Sequence, residues 1–288
     1  MKLRLTLAAV FLGASLASPA GSFAQNQRTE WNRPLEPFLI IGNVHYVGTA
    51  GLAAYLITGP EGHVLIDGGS EESAAQIAAS IRRLGFRLED VRYILNNHAH
   101  WDHAGGLAEL KRLSGARLVA SAGDAPDLAA GSNPYRDDLD RFAPVAVDQI
   151  IDDGEAVRVG PVSLDAQQTP GHTRGCTSWS TEAVTGGRTY RVLFACSLTV
   201  AGQPLVDDPR YPEAAEDFRR SYDRLSAMQA DVFLGFHGNQ FGLEEKRDRR
   251  AAGDPLAFVD PDELQQQIAR ARAAFEAELV RQRAAARE

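Results

Sequence analysis

After its first two dozen residues the sequence has no apolar run approaching the roughly 20 residues needed to span a bilayer, so no later segment is expected to cross a membrane. Positive charge is also short: 30 Lys and Arg stand against 38 Asp and Glu, for a formal net charge of −8. That balance argues against a sequence-independent grip on phosphate backbones, and nucleic acid is not an expected partner. The one densely basic segment, Lys246 to Arg250, reads as a solvated helix face. No repeat of about 20 to 50 residues is present, and the Ala/Arg-rich tail is the sole low-complexity stretch. Ser-x-x-Lys is missing and Gly171 to Gly175 is not a nucleophile elbow, so the chain shows no motif for covalent serine catalysis. Cysteine is limited to Cys176 and Cys196.

What remains is a chain of 288 residues with 44% apolar content, ample for a folded core. Lys2 and Arg4, the apolar stretch Leu5 to Leu16 and the small-x-small site Ser22-Phe23-Ala24 read as an export signal over 1–24, cleaved before Gln25, with cleavage after Ala20 as the alternative. Removal deletes two positive charges and no negative one, leaving −10. The expected product is an exported, periplasmic chain, 25–288, forming a single domain and acting as a monomer on a small molecule. In an oxidising compartment the even cysteine pair suggests a disulfide, two separate buried thiols or a metal-ligating thiolate being the alternatives.

Short β-rich runs separated by turns open the domain: Phe38 to Ile41, His45 to Gly48, Ala53 to Thr58 and Val64 to Asp67, an antiparallel sheet. Ser73 to Leu84 has helical spacing, Val91 to Asn96 is a buried strand, and Gly106 to Leu113 a helix. Leu118 to Ala120 reads as a strand, and Gly123 to Phe142 as a polar loop bordering a pocket. The β pattern resumes from Gln149, with strands at Ala156 to Val159, Val162 to Gln168, Cys176 to Thr181 and Tyr190 to Ala195. Pro212 to Met228 is a helix, Val232 to Phe236 a strand, and 261–281 a closing helix capped by Asp260 that frays beyond Arg281.

Three of the seven histidines fall in one octapeptide, His98-Ala99-His100-Trp101-Asp102-His103-Ala104-Gly105, directly behind a strand. Alternate residues of a strand share a face, so His98 and His100 are expected side by side, with the following turn delivering Asp102 and His103 from another direction. His172 and His237 stand at later turns after strands, each flanked by glycine that would let backbone approach a metal. His98, His100 and His172 make one site, and Asp102, His103 and His237 a second. Imidazole with a single carboxylate suits zinc, with iron and manganese using overlapping donors. Three protein ligands leave each of two zinc ions an open position, which marks catalysis, and a hydroxide shared between the metals would fill both. His45 and His63 lie away from any ligand spacing and read as structural.

With Asp67 in Leu65-Ile66-Asp67-Gly68-Gly69 and with Thr169-Pro170-Gly171-His172-Thr173, the octapeptide resembles the metallo-β-lactamase superfamily over most of residues 30 to 260. The resemblance implies an α/β fold of four layers, an αββα sandwich, with a dinuclear site at one edge. Trp31-Asn32-Arg33-Pro34-Leu35, Gly171 to Gly175 with Trp179, and Ser197-Leu198-Thr199 resemble subclass B3 in particular. That likeness implies a class B β-lactamase: hydrolysis of the β-lactam amide of penicillins, cephalosporins and carbapenems by a metal-bridging hydroxide, and thereby antibiotic resistance. Glyoxalase-II-like hydrolases, lactonases and RNA-processing relatives place a bridging Asp near positions 196 and 197, and subclass B1 a zinc-binding Cys. This chain has no Asp there, and Cys196 as a ligand would leave His103 without a metal role, so its pairing with Cys176 is preferred. A hydrolase of another ester or lactone, such as a quorum-signal lactone, is the alternative.

Asp102 is expected to be both zinc ligand and catalytic residue, orienting the nucleophile. Ser197 and Thr199 would hydrogen-bond a substrate carboxylate, or else their own backbone. Trp31 would wall the pocket or simply anchor the N-terminal segment. Asp67 would hold a ligand histidine, with a plain turn role nearly as plausible.

Overall fold

The computed structural model describes residues 26–287, so the expected export signal lies outside the described residues. Four short strands, β1 (Phe38–Ile41), β2 (Val44–Tyr46), β3 (Tyr55–Ile57) and β4 (His63–Ile66), form the expected antiparallel meander. β5 (Val91–Leu95), β6 (Arg117–Ser121) and β7 (Gln149–Ile151) then add in parallel, giving a seven-stranded sheet in sequence order. All four residues of β4 are buried, because one face of this sheet meets helices and the other meets a second sheet.

The second sheet has five strands. β8 (Ala156–Val159), β9 (Val162–Gln168), β10 (Thr177–Thr185) and β11 (Arg188–Phe194) are antiparallel, and β12 (Val232–Leu234) joins β11 in parallel. Val162, Leu164 and Ala166 face the core while Ser163, Asp165 and Gln167 face outward, the period-two pattern of a sheet covered on one side.

Helix α1 covers 26–31, followed by α2 (Ser73–Arg83), α3 (Trp101–Ala104), α4 (Leu107–Ser114), α5 (Ala125–Ala130), α6 (Ala214–Ser226), α7 (Leu243–Ala251) and α8 (Glu263–Ala285). Ile77 and Ile81 of α2 and Leu107 and Leu110 of α4 pack with Leu65 and Ile94 on the outside of the first sheet. Phe218 and Tyr222 of α6 and Phe275 of α8 meet in an aromatic cluster, centroids 5.4 to 5.9 Å apart, that joins the core of the second sheet. Helices, sheet, sheet, helices is the αββα order.

Three expectations need correction. The stretch 123–142 is not all loop, since α5 occupies Ala125–Ala130, with Pro126 in its first turn and Gly131 ending it in the left-handed conformation. The closing helix runs to Ala285, past Arg281, because the Gln282 side chain accepts from the Leu205 backbone N–H (2.7 Å) and donates to the Gln203 carbonyl (3.1 Å). The helix also starts later than expected: its N-cap is Asp262 rather than Asp260, because residues 261–262 form a turn ahead of it in which the Asp260 carboxylate accepts from the Asp262 backbone N–H (3.0 Å).

The segments that follow β4, β5, β6, β9, β11 and β12 meet at one edge of the sandwich, where the site residues lie. Loops at strand ends, positioned by a rigid scaffold, are where such chemistry is usually carried. Among the described residues no helix is long and apolar enough to cross a membrane.

Candidate metal centre

β5 ends at Leu95, so His98 and His100 do not share a strand face as expected. They lie in the loop beyond it and meet edge-on, centroids 4.8 Å apart at 83°. His172 closes the group, 4.6 Å from each of the two rings. One ligand atom from each of the three falls within 4.8 Å of the others, and all three residues are buried. What holds the loops together is Asp124, just after β6 and fully buried. It accepts from the backbone N–H of Ala99 (3.0 Å) and of Gly175 (2.9 Å) and from the Thr173 hydroxyl (3.1 Å), tying the His98 loop to the His172 loop. Burial pushes its carboxyl up to about 7.

The second group starts on α3, a single helical turn that carries Asp102 and His103. His237, just past β12, brings its Nε2 to 3.1 Å from His103 Nε2 and 3.4 Å from Asp102 Oδ2, while His103 Nε2 is 3.5 Å from Asp102 Oδ2. His103 Nδ1 donates to Asp67 Oδ2 at 2.8 Å. Asp67, wholly buried and at φ 73°, also accepts from the Asn97 side-chain amide, whose Oδ1 in turn accepts from His98 Nδ1. One carboxylate and one amide therefore orient a ring of each group, the kind of outer support that fixes which imidazole nitrogen is left for a metal.

The residues present fit metal ions. His98 Nε2 and His100 Nε2 are buried without a hydrogen-bond partner among the described residues, a costly state that a coordinated cation would relieve. His172 Nδ1 donates to the Thr199 carbonyl (2.7 Å), which leaves its Nε2 unused. Burial, with the neighbouring rings, holds His98 and His100 well below the usual histidine range, and lowers His172 to about 4 and His237 to about 3. Neutral imidazoles are the form that coordinates. Three nitrogens in one group and two nitrogens with a carboxylate in the other suit zinc.

His103 differs from the rest. Burial works against its charged form, but Asp102 and Asp67 outweigh burial and hold it above its ordinary value. A metal entering the second group must displace that proton, so affinity there should fall about tenfold per pH unit once His103 is protonated. The three-histidine group, whose rings stay neutral, should hold its metal through the same range. Competition with a chromogenic chelator at pH 7.5, 6.5 and 5.5 checks this; two metals lost in parallel would contradict it.

Packing also requires the glycines beside His172 and His237. Gly171 sits at φ +135°, and a Cβ there would fall 2.7 Å from the Phe218 ring; at Gly238 it would fall 2.9 Å from the Ala50 carbonyl oxygen. Cys176 and Cys196 are joined in a disulfide, Cα atoms 5.9 Å apart, so neither offers a thiolate. The bond ties the start of β10 to the end of β11, directly beside Ser197.

Both donor groups open on a cleft of about 300 Å³ bordered by Trp31, Trp101, Arg136, Ser197 and Thr199. Trp31 both anchors the N-terminal segment and walls the cleft: its carbonyl accepts from the Thr49 hydroxyl (2.6 Å) and Gly51 N–H (3.0 Å), and its ring lies 4.8 Å from that of His237. The Ser197 and Thr199 hydroxyls are 3.0 Å apart. His45 and His63 lie outside the cleft, packed against Phe86. Sequence reasoning missed Asn97, Asp124 and Arg136. Asn97 could have been suspected from its place between strand and octapeptide, but Asp124 and Arg136 carry no local signal.

A sequence model described as the metallo-beta-lactamase superfamily matches residues 50–237. Among solved structures, a Cronobacter sakazakii metallo-beta-lactamase described by a HARLDQ motif is 45% identical, with a TM-score of 0.85 over 90% of this chain and 99% of that one. The run in the present chain is His98-Ala99-His100-Trp101-Asp102-His103, with histidine third and sixth. BJP-1 of Bradyrhizobium japonicum, described as a subclass B3 metallo-beta-lactamase, is 40% identical with a TM-score of 0.85, covering 89% of this chain and 98% of that one. Among curated relatives, a hydroxyacylglutathione hydrolase of Methylococcus capsulatus is 29% identical over 161 residues, 55% of this chain. The chain spans about half or less of the length of such relatives, 51% and 39% of the first two.

Proposed function

Because the chain belongs to the metallo-beta-lactamase superfamily, we propose that it is a periplasmic β-lactamase of the subclass B3 kind, with two zinc ions, that hydrolyses the amide bond of penicillins, cephalosporins and carbapenems and so confers antibiotic resistance. The observation that carries this reading is the segment after β11. Cys196 is locked in a disulfide and Ser197 borders the cleft, so no carboxylate enters the site at the position where the lactone- and thioester-cleaving alternatives would need one. Likeness to subclass B3 structures over nearly the whole described chain supports it, and the disulfide accords with export of residues 25–288 as one domain.

In this reading His98, His100 and His172 hold one ion and Asp102, His103 and His237 the other. When bound, the metal pair supplies Lewis acidity toward a carbonyl oxygen and acidifies a water. The protein's own residues do the rest. Asp67 and Asn97 fix ring orientation, and Asp102 accepts a hydrogen bond from the attacking water, aiming its lone pair. Trp31 shields one side of the cleft from solvent, and the Ser197 and Thr199 hydroxyls bind the substrate carboxylate.

Hydrolysis of another ester or lactone is the second reading, favoured by the curated relatives described as hydroxyacylglutathione hydrolases. Purified residues 25–288, assayed with a carbapenem and separately with an acyl-homoserine lactone, each with and without chelator, separate the two. Chelator-sensitive carbapenem turnover is expected, with close to two zinc ions per chain. Lactone turnover without carbapenem turnover would reverse the order.

A further inference from the structure

Arg136 stands apart from the proposed metal-holding residues, yet it borders the same cleft beside His100, His172 and Ala201. It is 4% exposed, very low for a side chain that is always charged. Its Nε and Nη2 are both taken by Asp138, at 2.7 Å each, but the Asp138 side chain is 64% exposed and meets the guanidinium from the solvent side. Nη1, at the other end of the fork, is buried and has no partner among the described residues.

The segment that carries Arg136 is held by its neighbours. Tyr135, almost fully buried, packs under the Arg174 guanidinium (5.2 Å), and Arg210 clamps the next residue, donating to Asp137 Oδ2 (2.7 Å) and to the Pro134 carbonyl (3.4 Å). On the far side lies Gly202, where an added Cβ would come 3.5 Å from Nη2. Gly202 follows Thr199 by three residues, so Arg136 adjoins the segment that carries the Ser197 and Thr199 hydroxyls. The positive charge is felt at the centre, where it helps to lower His100 and His172.

We propose that Arg136 is a specificity-determining residue whose unused Nη1 recognises the carboxylate of the substrate, completing one anion subsite with Ser197 and Thr199. A guanidinium has donors only, and with the Nε and Nη2 side of its fork on Asp138 the charged Nη1 is the donor left for a carboxylate oxygen. The proposal rests on the β-lactamase reading for the identity of the substrate, a compact molecule bearing one carboxylate near the bond to be cut. Uncharged substrates gain nothing from this residue.

The test compares wild type, Arg136→Met and Arg136→Lys in the zinc-loaded protein, with a penicillin and with its methyl ester. For the acid, Arg136→Met should raise KM about 10- to 100-fold with kcat moving less than about threefold, the weight of a hydrogen bond to a charged group. The ester should show no such rise, and Arg136→Lys should recover part of the affinity for the acid. Equal effects on acid and ester, or a change in kcat alone, would reduce Arg136 to a loop support and overturn the proposal. A second readout does not depend on turnover: titration with the stable ring-opened penicilloate, followed by the fluorescence of Trp31 and Trp101 in the cleft wall. Weaker binding by Arg136→Met than by wild type supports the proposal, and equal binding overturns it. Should wild type hydrolyse neither acid nor ester, the β-lactamase reading fails while this titration still decides the role of Arg136.

Discussion

Asp102→Asn should lower β-lactam turnover on the order of 10³-fold while one of the two metals stays bound, the scale seen when a single preorganised polar group is removed from a hydrolytic site. Asparagine has nearly the volume of aspartate, so α3 and its packing should survive. Two things are lost together. The second donor group gives up its only negative charge, since Oδ2 of Asp102 is the oxygen 3.4 to 3.5 Å from the two ring nitrogens. Whatever metal remains there meets a carboxamide, which neither balances its charge nor accepts a hydrogen bond from the attacking water as strongly. His103 also loses one of the two carboxylates that hold it above its ordinary value, so its proton should leave at a lower pH. The three-histidine group shares no residue with this change. Steady-state kinetics beside elemental metal analysis therefore gives a joint outcome: kcat collapses and zinc falls from near two toward one. Two retained zincs with activity within threefold of wild type would remove Asp102 from the role proposed for it.

Replacing both Cys176 and Cys196 by serine should lower the melting temperature by about 6 to 12 °C. The bond closes a loop with a sequence separation of 20. By the chain-entropy account a loop of that size is worth about 3 kcal/mol. For a chain of this size each kcal/mol moves Tm by about 2 to 4 °C. The closed segment holds β10 and β11 of the second sheet, and its ends adjoin Gly175, bound to Asp124, and Ser197 at the cleft. Loss of the bond should therefore loosen the strand ends near the cleft more than the centre of the sheet. Calorimetry on oxidised wild type and the double variant checks the figure; a shift below about 2 °C would mean that the surrounding core already holds these ends in place.

The parts of the molecule readable from sequence are those whose signal is local. β1, β8 and β9 fall at the expected residues, because each is a short apolar or alternating run between turn residues. The octapeptide was legible for the same reason, four donors within six residues. α5 carried its own signs, Pro126 in the first turn and Gly131 after the last, but the polar residues around it pointed to a loop. Asp124 could not be read in advance. Its role depends on Ala99, Thr173 and Gly175 arriving from both sides of the sequence, and nothing within a few residues of position 124 announces that. Arg136 is similar, an ordinary arginine in a polar stretch until the fold buries it. The glycines beside His172 and His237 show a local signal with a distant cause as well: Phe218 and Ala50, far away in sequence, also require them.

The nitrogens of His103 and His237 that meet at 3.1 Å are separated by 134 positions along the chain. Such high contact order makes the centre one of the last things the polypeptide can assemble, since the entropy of closing so long a loop must be met before the contact gives anything back. A chain cut short before His237 lacks a ligand of the second group, and one whose second half has not docked holds only the local fragment from His98 to His103. Hydrolytic competence thus reports completed folding, and partly built molecules are inert by construction.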